Sequence, residues 1–170
     1  MGLCTVSLKL RAAVTIARGM NESTHAPTPL PPMPCDPPAA VPGVLDEQTM
    51  SHLLDVELAR ARRYQHPFAI VAVSTGGDAA AWRRVAGALR FHTRWADSVG
   101  AFGGALLVIL RDTQPDGARV AGEKIAASLA GELAGVHDGP LRLEIACWRK
   151  GDDRLGLLGR TALLKRDAGG

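Results

Sequence analysis

Arg94-Trp95-Ala96-Asp97, then five residues, then Gly103-Gly104-Ala105-Leu106-Leu107-Val108-Ile109-Leu110 is the stretch that decides how this chain is read. The tetrad sits at the end of an apolar-periodic segment, so it reads as a helix end carrying an Arg/Asp pair. Ser98–Phe102 and Ala105–Leu110 then read as two strands joined at Gly103-Gly104. Glycine lacks a Cβ and tolerates the positive φ that a two-residue hairpin turn demands.

Working outward from the hairpin, regular elements alternate. Asp46 is a plausible N-cap for a helix running to about Tyr64, with Met50, Leu54, Leu58 and Ala61 at helical spacing. Arg60, Arg62 and Arg63 gather at its end, where cations suit the helix dipole, and Pro67 stops it. Phe68–Val73 is a continuous apolar run, the mark of a strand buried on both faces. Ser74-Thr75-Gly76-Gly77-Asp78 is a turn capping a second helix, roughly 79–94, with Trp82, Val85 and Leu89 inward. After the hairpin, Pro115 opens a third helix with Ala118, Ala121, Ile125, Leu129 and Leu133 on its apolar face. Leu141–Trp148 alternates as a strand, and 153–166 reads as a last helix. The order α-β-α-β-β-α-β-α predicts an α/β fold, an α+β sandwich with a central sheet flanked by helices.

Composition bounds the rest. At 170 residues and 46% hydrophobic, the chain has one domain's worth of core plus a tail. A net charge of +3 is too balanced to argue for nucleic acid or a membrane surface. Most of the 11 prolines lie between Pro27 and Pro42, a composition that favours polyproline II or disorder. Residues 1–42 are therefore expected to be a disordered segment, and 43–170 the folded domain. Residues 3–17 are interrupted by Lys9 and Arg11, which argues against a signal peptide, and Met20 is a second candidate start. Cys4, Cys35 and Cys147 are isolated, and the five histidines lack metal-ligand spacing, so neither a disulfide framework nor a metal site is expected. No membrane insertion is expected, and a reducing cytoplasm is the default location.

The collinear strings resemble the GGDEF domain of bacterial diguanylate cyclases over about residues 43–168. Glu57-Leu58-Ala59-Arg60-Ala61-Arg62-Arg63-Tyr64 is similar to the end of that family's opening helix. Asp97-Ser98-Val99 through Phe102-Gly103-Gly104 resembles its approach to the signature hairpin. Asp112-Thr113, Ala118 and Glu123-Lys124-Ile125 resemble the helix that follows, and Leu157-Leu158 through Lys165 the closing helix. The resemblance also exposes departures. The family's two acidic residues and aromatic after the Gly pair are here Ala105, Leu106 and Leu107. Its metal-binding Asp at the end of the first strand is replaced by Ser74 and Thr75. Its next helix, which carries residues for the guanine base, is missing, since the chain passes from Val73 to Gly77-Asp78. Phosphoryl transfer needs metal-held charge neutralisation, so the resemblance implies a degenerate domain without enzymatic activity, metal or cofactor.

One family feature is retained. An inhibitory Arg-x-x-Asp motif ending five residues before the Gly pair binds cyclic di-GMP, and Arg94 and Asp97 match tetrad and offset. A guanidinium can donate to O6 and N7 of guanine, and a carboxylate can accept from its N1 and N2. Lys124 stands near the family's further basic position, and Arg90 adds positive potential one turn before Arg94. The expected ligand-binding set is thus Arg94, Asp97, Lys124 and Arg90. A receptor of this kind implies a protein partner and a ligand-linked homodimer. The alternative is a nucleotide-independent interaction module that docks through the missing-helix face or the apolar tip Ala105-Leu106-Leu107. Residual GTP turnover is a further alternative. Arg149-Lys150-Gly151-Asp152 repeats the tetrad by chance in a polar turn, so only the offset singles out the first copy. Trp82, Trp95 and Trp148 are expected to pack; the alternative for Trp95, which sits inside the tetrad, is stacking on a base.

Overall fold

Alternation governs the sheet. In the computed structural model, which describes residues 7–10, 41–134 and 141–161, side chains along each central strand pass to opposite faces. The elements are β1 (Ser7–Leu10), α1 (Glu47–Tyr64), β2 (Phe68–Ser74), α2 (Ala79–His92), β3 (Ser98–Phe102), β4 (Ala105–Arg111), α3 (Pro115–Leu133), β5 (Leu141–Cys147) and α4 (Arg154–Leu158). The strands form one antiparallel sheet in the order β1-β5-β2-β4-β3. Ala69, Val71 and Val73 of β2 meet Leu106, Val108 and Leu110 of β4 on one face, beneath Val85 and Leu89 of α2 and Ile125 and Leu129 of α3. Phe68, Ile70 and Ala72 meet Ala105, Leu107 and Ile109 on the other, against Met50, Leu54 and Leu58 of α1 and Leu157 of α4. The result is helices on both sides of a sheet, and it explains why the middle strands are apolar throughout.

Local chemistry sets the boundaries. Asp46 caps α1 by accepting from the Thr49 amide at 2.8 Å. Asp78 caps α2 by accepting from the amides of Ala80 and Ala81 at 2.8 and 3.1 Å. The string Gly76-Gly77-Asp78 is thereby a cap turn, and β2 passes into α2 through Thr75–Asp78 with no helix between. Gly103 and Gly104 both take positive φ, 54° and 68°, as the two-residue turn requires. Gly100 allows a close approach, since a Cβ there would lie 2.9 Å from the Leu45 carbonyl oxygen. Leu45 uses that space to bind β3, donating to Val99 and accepting from Ala101 at 2.9 Å each.

Three readings change. Residues 7–10 differ from a disordered leader, because Ser7-Leu8-Lys9-Leu10 adds a fifth strand to the outer edge of β5. The alternation in that string carries the signal. The last helix spans only 154–158 and a turn follows it; 162–166 lie outside the described residues, as does the Pro-rich string up to residue 40. Finally, α2 ends at His92, so the Arg94 tetrad occupies the turn after the helix rather than its last turn.

Candidate functional site

The turn after α2 is built by its own carboxylate. The Asp97 amide donates to the Arg94 carbonyl at 3.0 Å, and the Arg94 amide donates back to Asp97 Oδ2 at 3.1 Å. Asp97 Oδ1 accepts from the Arg111 amide at 3.3 Å, tying the turn to the end of β4. Arg111 reinforces the junction: Nη1 donates to the Ala96 carbonyl at 2.9 Å and Nε to Glu57 Oε1 at 2.6 Å. Glu57 is buried on α1 and also faces Arg60, which in turn approaches Asp112, the partner of His66. Asp97 is only 9% exposed. Burial pushes its carboxyl above the ordinary carboxylate value, against the opposing pull of the Arg94 and Arg111 amides and of both guanidiniums.

The four predicted residues are not gathered into one pocket. Arg94 and Asp97 share the turn, and the Arg94 side chain is exposed. Arg90, half-buried, packs over the backbone at Gly43, where an added Cβ would lie 3.0 Å from its Nε. Lys124 is exposed on α3, nine residues beyond Pro115, or roughly 13 Å along the helix. Since α3 packs beside α2, Lys124 belongs to the same layer as Arg94. The tryptophans divide. Trp82 packs against the core and Trp148 stacks on Phe68 with centroids 6.5 Å apart. Trp95 does not pack: it is 91% exposed, and Phe91, four residues earlier, is 84% exposed. The exposure of this pair and the bracing by Glu57 and Arg111 were missed in the sequence. Trp95 had a signal, its place in the tetrad; the bracing depends on contacts distant in the chain.

The side chains after the hairpin turn face inward. Ala105, Leu106 and Leu107 are buried and offer no oxygen or nitrogen donor from their side chains. They therefore present no apolar docking patch, which removes that version of the interaction-module reading. The Gly103 amide at the tip donates to Glu47 Oε1 at 3.1 Å. Among the described residues, no group of three or more His, Cys, Asp or Glu side chains is placed to hold a metal ion. No helix among them is long and apolar enough to cross a membrane. A groove of about 390 Å³ between α1 and α4 lies on the opposite layer, and its Arg154 is already paired with Asp55 at 3.0 Å.

The second tetrad has the same local geometry. The Asp152 amide donates to the Arg149 carbonyl at 2.9 Å, and the Arg149 amide donates to Asp152 Oδ2 at 2.7 Å. The difference is what else meets the carboxylate. Arg160 donates to both Asp152 oxygens and to the Cys147 carbonyl. Burial pushes the Asp152 carboxyl up, but hydrogen bonds from Arg160 and the Arg149 amide outweigh it and leave it below its usual value. The i, i+3 spacing is thus the spacing of a carboxylate-closed turn in both places.

Comparison with known proteins places this geometry in a fold. No protein-family model and no curated protein matches the chain. Solved structures do. The GGDEF domain of FimX from Pseudomonas aeruginosa is similar at TM-score 0.61 and 16% identity, covering 74% of this chain and 89% of that one. SiaD from the same organism, a diguanylate cyclase in complex with its activator SiaC, is similar at TM-score 0.57 and 18% identity over 72% of this chain. The match spans 54% of the SiaD chain, about half its length. The coiled coil and GGDEF domain of DgcB from Caulobacter crescentus, in complex with c-di-GMP, gives TM-score 0.56 at 15% identity over 75% of this chain and 78% of that one. With its antiparallel sheet between helical layers, its Gly-Gly hairpin and these neighbours, the chain has the fold of the GGDEF domains.

Proposed function

We propose that this chain is a non-catalytic, GGDEF-like receptor domain for cyclic di-GMP, with Arg94 as its principal contact. The observation that carries this reading is an exposed guanidinium on a turn locked by Asp97, five residues before the Gly pair. An exposed guanidinium on a fixed backbone can offer two parallel donors to O6 and N7 of guanine, or meet a phosphate. Asp97 is buried and already serves two backbone amides, so its first role is to hold the Arg94 turn in place. Lys124 and Arg90 add positive charge across the same layer. The non-catalytic half of the reading is supported by the apolar, buried residues after the turn. Cytoplasmic location, relay to a protein partner and ligand-linked pairing of two domains go with the receptor role.

Calorimetry with cyclic di-GMP should give low-micromolar or tighter binding to the wild-type chain. Arg94→Ala should weaken it by at least about tenfold, since charge-assisted hydrogen bonds contribute roughly 1.5–3 kcal/mol. No heat at high ligand concentration would sink the receptor reading. Clear formation of cyclic di-GMP from GTP and Mg²⁺ would overturn the non-catalytic part.

A further inference from the structure

Exposed aromatic and cationic side chains follow one another along the chain at the end of α2. Phe91 lies on the last turn of α2, Arg94 and Trp95 on the turn beyond, and the two aromatic side chains are 84% and 91% exposed. Arg94 is exposed between them in sequence. Side chains of this size normally bury most of their surface; Phe91 meets the His92 ring edge-on, 5.2 Å between centroids, yet both aromatics stay open to solvent beside a locked turn. Arg83, Arg84 and Gly87 continue the exposed face of α2 toward its start, and a Cβ at Gly87 would meet nothing within 4 Å. The strip is bare, cationic and aromatic, the combination that takes flat rings carrying negative charge: bases stack on the rings while guanidiniums meet their edges and phosphates. A wholly apolar docking face would not intersperse arginines with its aromatics.

Resting on the receptor reading above, we propose that Trp95 and Phe91 are the base-stacking walls of that site. One guanine of the dinucleotide lies on the Trp95 indole with its O6/N7 edge toward Arg94, and Phe91 meets the second ring system. The pair thereby extends the site beyond the Arg/Asp tetrad and makes it depend on aromatic area as well as charge. Both side chains are exposed, so truncating them leaves the core intact.

Titrating cyclic di-GMP into wild type, Trp95→Phe, Trp95→Ala, Phe91→Ala and Arg94→Ala tests this. Trp95→Ala should weaken binding by about tenfold to a hundredfold, as expected for loss of one base stack, while Trp95→Phe stays within a few-fold of wild type. Phe91→Ala should lose at least about fivefold. Trp95→Ala at wild-type affinity, with Arg94→Ala weakened, overturns the stacking walls and leaves the receptor reading standing. No binding by wild type fails both. A ligand-free wild type that dimerises with concentration, and that Trp95→Ala returns to monomer, also overturns the proposal, because a second copy would then cover the aromatics.

Discussion

Leu106→Glu should cost the domain at least about 4 kcal/mol, a large share of the roughly 5–15 kcal/mol that stabilises an ordinary domain. Leu106 is fully buried in the layer between the sheet and α2 and α3, so the change removes apolar burial and strands a carboxylate there. The side chain shares its layer with Val73 of β2, Val108 of β4 and Val85 and Leu89 of α2, which offer a carboxylate no hydrogen-bond donor. A chemical-denaturation midpoint measures the loss, and Leu106→Met, which conserves volume, should stay within about 1.5 kcal/mol of wild type. The introduced carboxyl would resist ionisation in that layer. Its folded-state pKa would be raised, so the variant should regain stability as pH falls and lose it as pH rises through that value. A midpoint equal to wild type at neutral pH would show that the hairpin tip is not part of the core.

Asp97→Ala is the second large effect, expected at about 2–3 kcal/mol, because the Arg94 and Arg111 amides both lose their acceptor near the end of α2. Asp97→Asn keeps one acceptor oxygen and should cost less. The two substitutions also separate charge from geometry. The carboxyl of Asp97 is raised chiefly by burial, so in wild type the folded state holds its proton more tightly than the unfolded chain does. That contribution is complete below the ordinary carboxylate value of 3.8 and fades as pH rises through the folded-state value. The stability gap between wild type and Asp97→Asn should therefore widen as pH is lowered toward 3.8. A gap that narrows on acidification would mean that the amide hydrogen bonds, not burial, dominate the carboxylate. In either variant the Arg94 turn loosens, and dinucleotide affinity should fall without loss of any ligand contact made by Arg94 itself.

The elements of this fold were legible where local rules act alone. Asp46 and Asp78 cap the helices they precede, Pro115 opens α3, and Gly103-Gly104 makes the turn its composition requires. The continuous apolar run at 68–73 is buried on both faces for the reason its pattern states. What escaped the sequence depends on groups distant along the chain. Nothing near Asp97 reveals that its second oxygen belongs to the Arg111 amide, or that Glu57 holds the Arg111 side chain from another layer. Trp95 has a side chain suited to burial, yet it lies beyond the helix end at His92 and stands in solvent. The twin tetrads were distinguishable by their offset from the Gly pair, yet they share one backbone geometry. Their real difference, the Arg160 guanidinium on Asp152, lies in the fold and not in the motif.

The Asp97 bond to Arg111 has a further consequence, for the order in which the chain assembles. It joins residues 14 apart, closing the open end of the β3–β4 hairpin, while the two glycines close the other end. A loop this short costs little entropy to close, and hairpins form in about 1–10 μs. Pairing of β2 with β5 must wait for a span of more than sixty residues to be brought together. The hairpin should therefore be native-like in the folding transition state, with Val108→Ala giving a φ-value of about 0.5 or more and Ile145→Ala on β5 one nearer zero. Equal values at the two sites would show that the clasp confers no such precedence. With it, the turn that presents Arg94 takes shape before the sheet is complete.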